Sequence, residues 1–216
     1  MAKHFIDARK IHYFGSGTKN KALSNFTKIE NNEGIYVQGH YYPTSEHAFQ
    51  ALDKVHADDR HRLAVGGDLS VIEAFALFCS EPAKKIKFWG AKQSSPEMTG
   101  IVAKMIVNPK HNKKLSTPLR IETRDRQETS DAAMKVLFLE ILVAKFKASQ
   151  VYRDAILSVP LDIQLIEFNG RAQFETVQKG RPPRWSGMVK NGILYGDNLQ
   201  GNIQSEIRSM AINNVI

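Results

Sequence analysis

The stretch Tyr42-Pro43-Thr44-Ser45-Glu46-His47-Ala48-Phe49-Gln50-Ala51 constrains the fold more than any other part of this chain. Pro43 disfavours helix for Tyr42, so the chain arrives extended. Thr44 or Ser45 then caps a helix through Ala48, Phe49, Leu52 and Val55, apolar residues at helical spacing. Glu46, Gln50 and Lys54 follow one another at four-residue intervals and form a polar row on the opposite face. Glu46 falls in the first turn, where outward backbone N–H groups and the helix dipole favour a carboxylate. Two readings follow: a helix-start acid of the kind enriched in first turns everywhere, or a catalytic group presented at a cleft.

A chain of 216 residues accommodates one domain with a real core and is short for two, so a single domain over 1–216 is expected. Hydrophobic residues at 42% and charged residues at 24% are globular rather than disordered values. The single cysteine, Cys79, lies in an apolar run and can form no internal disulfide, which suits a reducing, cytoplasmic setting. Met1 to Arg9 lacks the apolar core of a signal peptide. The longest apolar runs, Val71 to Cys79 and Val136 to Val143, are short and each contains a glutamate, so no membrane association is expected.

Charge is unevenly placed. Between Lys84 and Arg126 stand eleven Lys/Arg against Glu97, Glu122 and Asp125, a local excess that equals the +8 of the whole chain. This describes either a solvated surface or the footprint of a phosphate-rich partner.

Along the chain, Phe26 to Glu30 and Ile35 to Gln38 read as β-prone pieces around an Asn31–Gly34 turn, with a second turn at Gly39-His40. They predict a small antiparallel sheet that delivers the chain to the Thr44 helix. Helices are expected over Leu69 to Phe78, Pro96 to Ile106, Ser130 to Phe146 and Val151 to Leu157. The polar, basic stretch from Asn108 to Arg126 has no clear period and reads as a mobile loop. Leu161 to Phe168 holds a strand, and Gly196 to Gly201 leads into a helix with Ile203, Ile207 and Met210 on one side. A glycine near that start would let a ligand approach the helix N–H groups. The loop Lys179 to Gly187 puts Trp185 among Gly, Pro and Arg, either as a stacking platform or as a core plug.

Gly15 to Asn20 could cradle a phosphate, but without strand–loop–helix context. No GxxxxGK[ST], GxGxxG after a strand, HExxH or CxxC occurs. The seven histidines are scattered, and no metal or other cofactor is expected. His47, beside an apolar stripe, reads by itself as a core or hydrogen-bonding residue.

These separated pieces together resemble the NADAR family, the YbiA-like N-glycosidases. The matching residues are Leu23–Phe26, Gly39, Tyr42–Ala51, Ala83-Lys84 with Gly90, Met134–Phe146, Leu165–Glu167, Trp185 with Gly187, and Gly196–Gly201 on to Arg208. Their order and most spacings agree from about residue 11 to 210. The resemblance implies an α+β, mainly helical YbiA-like domain that hydrolyses a ribosyl C–N bond.

It implies Glu46 as the catalytic carboxylate, stabilising the cationic sugar or orienting water. Asn25, Gln50 and Asn198 would hydrogen-bond ribose or base, Phe26 or Trp185 would stack a ring, and Lys84 with the N–H groups near Gly201 would hold phosphates. His47 and Lys54 complete the expected substrate-binding set. The first expected substrate is ADP-ribosylated guanine in nucleic acid (DNA), since the basic segment suits a polyanion. The alternatives are a phosphoribosyl intermediate of riboflavin synthesis and a non-hydrolysing module that binds ADP-ribose or nucleic acid. Oligomeric state is left open.

Overall fold

The computed structural model describes residues 6–15, 20–70, 99–122, 131–168 and 183–216. The chain divides into two compact units, Asn25–Ser149 and a second assembled from both ends, Met1–Ser24 with Gln150–Ile216. The α+β class expected from the sequence is the one that forms. Among the described residues the strands make three two-stranded sheets, two antiparallel and one parallel, rather than one antiparallel sheet.

In the unit Asn25–Ser149, helix α1 (Ser45–Lys54) is packed by α2 (Thr99–Ile106) and α4 (Asp131–Ala148). Thr44, extended at φ −145°, caps α1 by accepting the His47 N–H at 3.2 Å. Phe49 of α1 and Phe138 of α4 meet edge-to-face at 5.3 Å. Leu52, Val102, Ala103, Ile106, Ile141 and Leu142 complete this buried apolar set.

A hairpin of β2 (Ile35–Val37) and β3 (His40–Tyr42) feeds α1, with Tyr36 opposite Tyr41. Gln38 and Gly39 both take positive φ, 47° and 87°, which a two-residue hairpin turn requires. The sequence placed a strand at Phe26 to Glu30, and that segment is irregular instead. The carbonyls of Asn25 and Phe26 accept the N–H groups of Glu46 and Gly100, so they do not serve a ladder. The Asn31–Gly34 turn does form, with Asn31 Oδ1 accepting from Gly34 N while its Nδ2 donates to Ala148 O at the end of α4.

The stretch after Asn108 is built rather than loose over its described part. Asn108 caps α3 (Pro109–Asn112), and Pro109 stands at its first position, where a missing N–H costs nothing. The Asn112 side chain then accepts from Leu119 N at 2.9 Å and donates to Leu119 O at 2.8 Å, closing the loop. Arg120 pairs with Asp58 and Asp59, and Ile121 bridges to Val55 at the end of α1. Short-range Asn chemistry therefore supplies the order that a search for periodicity misses.

Of the Leu69 to Phe78 helix, Leu69 and Ser70 are in a turn and the remainder lies outside the described residues. So do Ser16 to Lys19 of the glycine-bearing loop, Cys79, Lys84, Ser130 and Lys179 to Pro182.

In the second unit, β1 (Ile11–Phe14) and β4 (Gln164–Glu167) pair in parallel, from Ile11 opposite Gln164 to Phe14 opposite Glu167. Helix α6 (Leu199–Ile212) lies on β4, and α5 (Gln150–Leu157) packs on α6 and on the turn Lys21–Leu23. Tyr152 Oη donates to Gln204 Oε1 at 2.7 Å, and Gln204 Nε2 donates to Leu23 O at 2.9 Å. A second hairpin joins β5 (Met188–Lys190) to β6 (Ile193–Tyr195) through Asn191-Gly192, both at positive φ. No described helix is long and apolar enough to cross a membrane.

Arg208 ties this unit together. Buried on α6, its guanidinium donates to the carbonyls of Val159, Pro160, Leu161 and Ile163 at 2.7 to 3.3 Å. These contacts fix the chain just before β4. Arg208→Met leaves four carbonyls without their donors, that of Val159 buried, and is expected to cost about 3 kcal/mol. In urea unfolding the midpoint should fall with the slope unchanged.

Candidate active site

The polar row expected on α1 is present, but it is not a solvated face. Every residue from Ser45 to Leu52 is buried, including Glu46 and Gln50, because α2 covers the side that carries them. Gly100 makes that closeness possible. A Cβ there would stand 2.7 Å from Phe26 Cα and 3.0 Å from Glu46 Cβ. Asn25 and Phe26 are drawn in by the same contacts, as their carbonyls accept from Glu46 N at 3.1 Å and Gly100 N at 3.4 Å.

Glu46 is only 6% exposed. Among the described residues its carboxylate accepts one hydrogen bond, from Gln50 Nε2 at 2.7 Å. Burial pushes the carboxyl above its ordinary value of 4.5, while Lys104, the Gln50 hydrogen bond and Lys54 each pull part of the way back. Glu46 is thus a desolvated carboxylate between two cations and joined to neither in an ion pair. An acid serving only to start a helix would have no need of this burial.

His47 is fully buried, and its Nδ1 lies 2.8 Å from Thr44 Oγ1. Burial lowers its pKa to about 3, so the ring is neutral and lends no charge to the site. The α1 entrance also concentrates polar atoms that lack partners. Tyr42 Oη, Ser45 Oγ, His47 Nε2 and Gln50 Oε1, within nine residues of sequence, are all buried and have no hydrogen-bond partner among the described residues. Native proteins hold few such groups per hundred residues, and a run of them marks a place where water or ligand completes the network.

No protein-family model and no curated protein matches the sequence. The NMR structure of the Escherichia coli protein YbiA does match, with a TM-score of 0.50 and 21% identity over 98% of this chain and 91% of that one. The fold is YbiA-like.

Within this YbiA-like fold the remaining expected residues are placed as follows. Asn25, Phe26, Glu46, His47, Gln50 and Lys54 all belong to the unit Asn25–Ser149. Trp185, Asn198 and Gly201 belong to the other, where Asn198 and Gly201 have structural contacts of their own. Asn198, fully buried at φ 49°, accepts from Glu167 N with Oδ1 and donates to Leu165 O with Nδ2. Its amide therefore clamps α6 to β4 instead of facing a ribose. Gly201 permits the same contact, since a Cβ there would run into Leu165 O and the Asn198 amide. At this helix start, where a phosphate site was expected, two of the N–H groups are taken up by protein. Leu199 N and Gln200 N donate to the carbonyls of Arg184 and Trp185. Lys84 lies outside the described residues.

Two residues of the site were missed from sequence. Gly100 drew no reading from the sequence, and Lys104 was one of eleven Lys/Arg in the basic segment. The i, i+4 spacing of the two on α2 is the signal that could have paired them.

Gly100→Ala is expected to force Phe26 and Glu46 apart and to lower stability by about 1–3 kcal/mol, read by thermal melting. Lys104→Met removes the strongest pull on the Glu46 carboxyl. Its titration midpoint, followed by carboxyl ¹³C NMR, should then move upward, whereas Lys113→Met, which the Glu46 carboxyl does not sense, should leave it in place.

Proposed function

We propose that this protein is an N-glycosidase that hydrolyses a ribosyl C–N bond, removing ADP-ribose from ADP-ribosylated guanine in DNA. The observation that carries the reading is the desolvated Glu46 carboxylate, held by Gln50 at the entrance of α1. The similarity of the Thr44–Gln50 run to the NADAR N-glycosidases and the YbiA-like fold agree with it.

In the reaction, water oxygen adds to ribose C1′ as the C1′–N bond breaks, and the bonding pair leaves with the base nitrogen. Positive charge builds on the sugar, and ionised Glu46 opposes it while accepting the proton of the attacking water. The departing nitrogen takes up a proton, so one water is consumed. The buried setting strengthens this interaction relative to water. Exposed Lys104, Lys110 and Lys113 favour a polyanionic substrate over a small phosphoribosyl compound.

Glu46→Gln should abolish release of ADP-ribose and restoration of guanine from ADP-ribosylated DNA, followed by mass spectrometry, while retaining the ligand. No turnover in the wild type, with ligand binding unchanged in Glu46→Gln, would leave a binding module, and turnover only of a phosphoribosyl riboflavin intermediate would reassign the substrate. Because the folded pKa of Glu46 lies above the ordinary value, its charge opposes folding once pH rises through that pKa. The same variant should therefore melt a few degrees higher than wild type at pH 8, with the gain fading toward pH 4. Wild-type activity should fall as pH drops through the raised pKa, at a pH above 4.5.

A further inference from the structure

Of the four buried groups without partners at the α1 entrance, Gln50 Oε1 is the one tied to the Glu46 carboxylate. An ionised carboxylate only accepts hydrogen bonds, so the NH₂ end of the Gln50 amide has to face it. Nε2 accordingly donates to Glu46 Oε1 at 2.7 Å. The planar amide is thereby fixed with its own oxygen turned off that bond. Gln50 is 2% exposed, and this oxygen has no hydrogen-bond partner among the described residues. The other carboxylate oxygen, Glu46 Oε2, also accepts nothing among the described residues. Two acceptors one helical turn apart are thus linked to each other and lack donors. Buried acceptors of this kind call for a donor from outside the protein.

We propose that Glu46 Oε2 and Gln50 Oε1 form a two-acceptor seat that orients the attacking water, an inference that rests on the glycosidase reading. Water fills the seat with both hydrogens, one toward each acceptor, and keeps an oxygen lone pair for ribose C1′. As the C1′–O bond forms, the C1′–N pair leaves with the base nitrogen, which takes up a proton. Glu46 receives the hydrogen that points at it. The hydrogen held by Gln50 stays behind as the hydroxyl hydrogen of the released sugar. An alcohol brings one O–H hydrogen and leaves one acceptor of the seat unmet.

The seat follows the charge of Glu46. Among the described residues the charges that act on this carboxyl are Lys104 on α2 and Lys54 on α1, while the neighbouring His47 is neutral. A protonated Glu46 carries an O–H donor, and the Gln50 amide turns over to accept it. Gln50 then presents N–H groups where its oxygen stood. Acid therefore removes the base and the orientation of the water in a single event.

Turnover of ADP-ribosylated DNA in water–methanol mixtures reads the seat, with methyl glycoside and free ADP-ribose separated by mass spectrometry. Wild type is expected to form the methyl glycoside at least about tenfold below the molar proportion of methanol. Gln50→Met should raise that product about tenfold and lower kcat about 100-fold, with KM within about twofold. Equal product ratios in the two proteins, with wild type active, overturn the seat and leave the glycosidase standing. Absence of turnover in wild type, on DNA and on the phosphoribosyl intermediate alike, overturns the glycosidase and the seat with it. A second measurement needs no variant. The ¹⁵N–¹H signals of the Gln50 side-chain amide should shift with the same midpoint as the Glu46 carboxyl, and signals indifferent to that titration overturn the proposal.

Discussion

The contact on which the unit Asn25–Ser149 depends is the approach of α2 to the polar side of α1. At Gly100 the two helices come so close that no side chain fits between them, and the Phe26 backbone closes the third side. One consequence is electrostatic. A glutamate that would be solvated on an ordinary amphipathic helix is stripped of water, and its proton affinity rises. The same contact that costs stability at neutral pH gives the carboxylate the strength to act on a charge developing nearby. Stability and reactivity are in tension at this one residue, as they often are at functional sites.

The surrounding structure exists to hold α1 at both ends. At its start, the hairpin turn at Gln38-Gly39 returns the chain so that Tyr42 is buried and Thr44 reaches the His47 N–H. At its end, Arg60 accepts the helix C-terminus by donating to Leu52 O and Val55 O. Ile121 then pairs with Val55, and Glu122 N bonds to Lys54 O. A short helix of ten residues would not be stable alone, and these tertiary contacts supply what its length does not.

Much of this was legible in the residues. Pro43 followed by Thr44 announced the cap, the Ala48–Phe49–Leu52–Val55 spacing announced the buried face, and the α4 and α5 helices fall close to where their apolar periods put them. Elements held by side-chain-to-backbone bonds were less visible. The Asn112 closure carries no periodicity, and the Asn191-Gly192 hairpin was obscured by the long polar segment before it, though that dipeptide is itself a turn signal. Asn198 and Gly201 were read for their chemistry, when their positions are explained by the close seat of α6 on β4.

The sequence by itself determined the α+β class, the capped helix beginning after Thr44 and the identity of its acid, because capping and apolar spacing are local properties written into neighbouring residues. Only the tertiary structure decided that the Glu46–Gln50 row is buried and that Gly100 and Lys104 are its neighbours. Desolvation is the sum of atoms brought from distant parts of the chain. A one-dimensional pattern states which face a residue is on and says nothing of what will come to cover it.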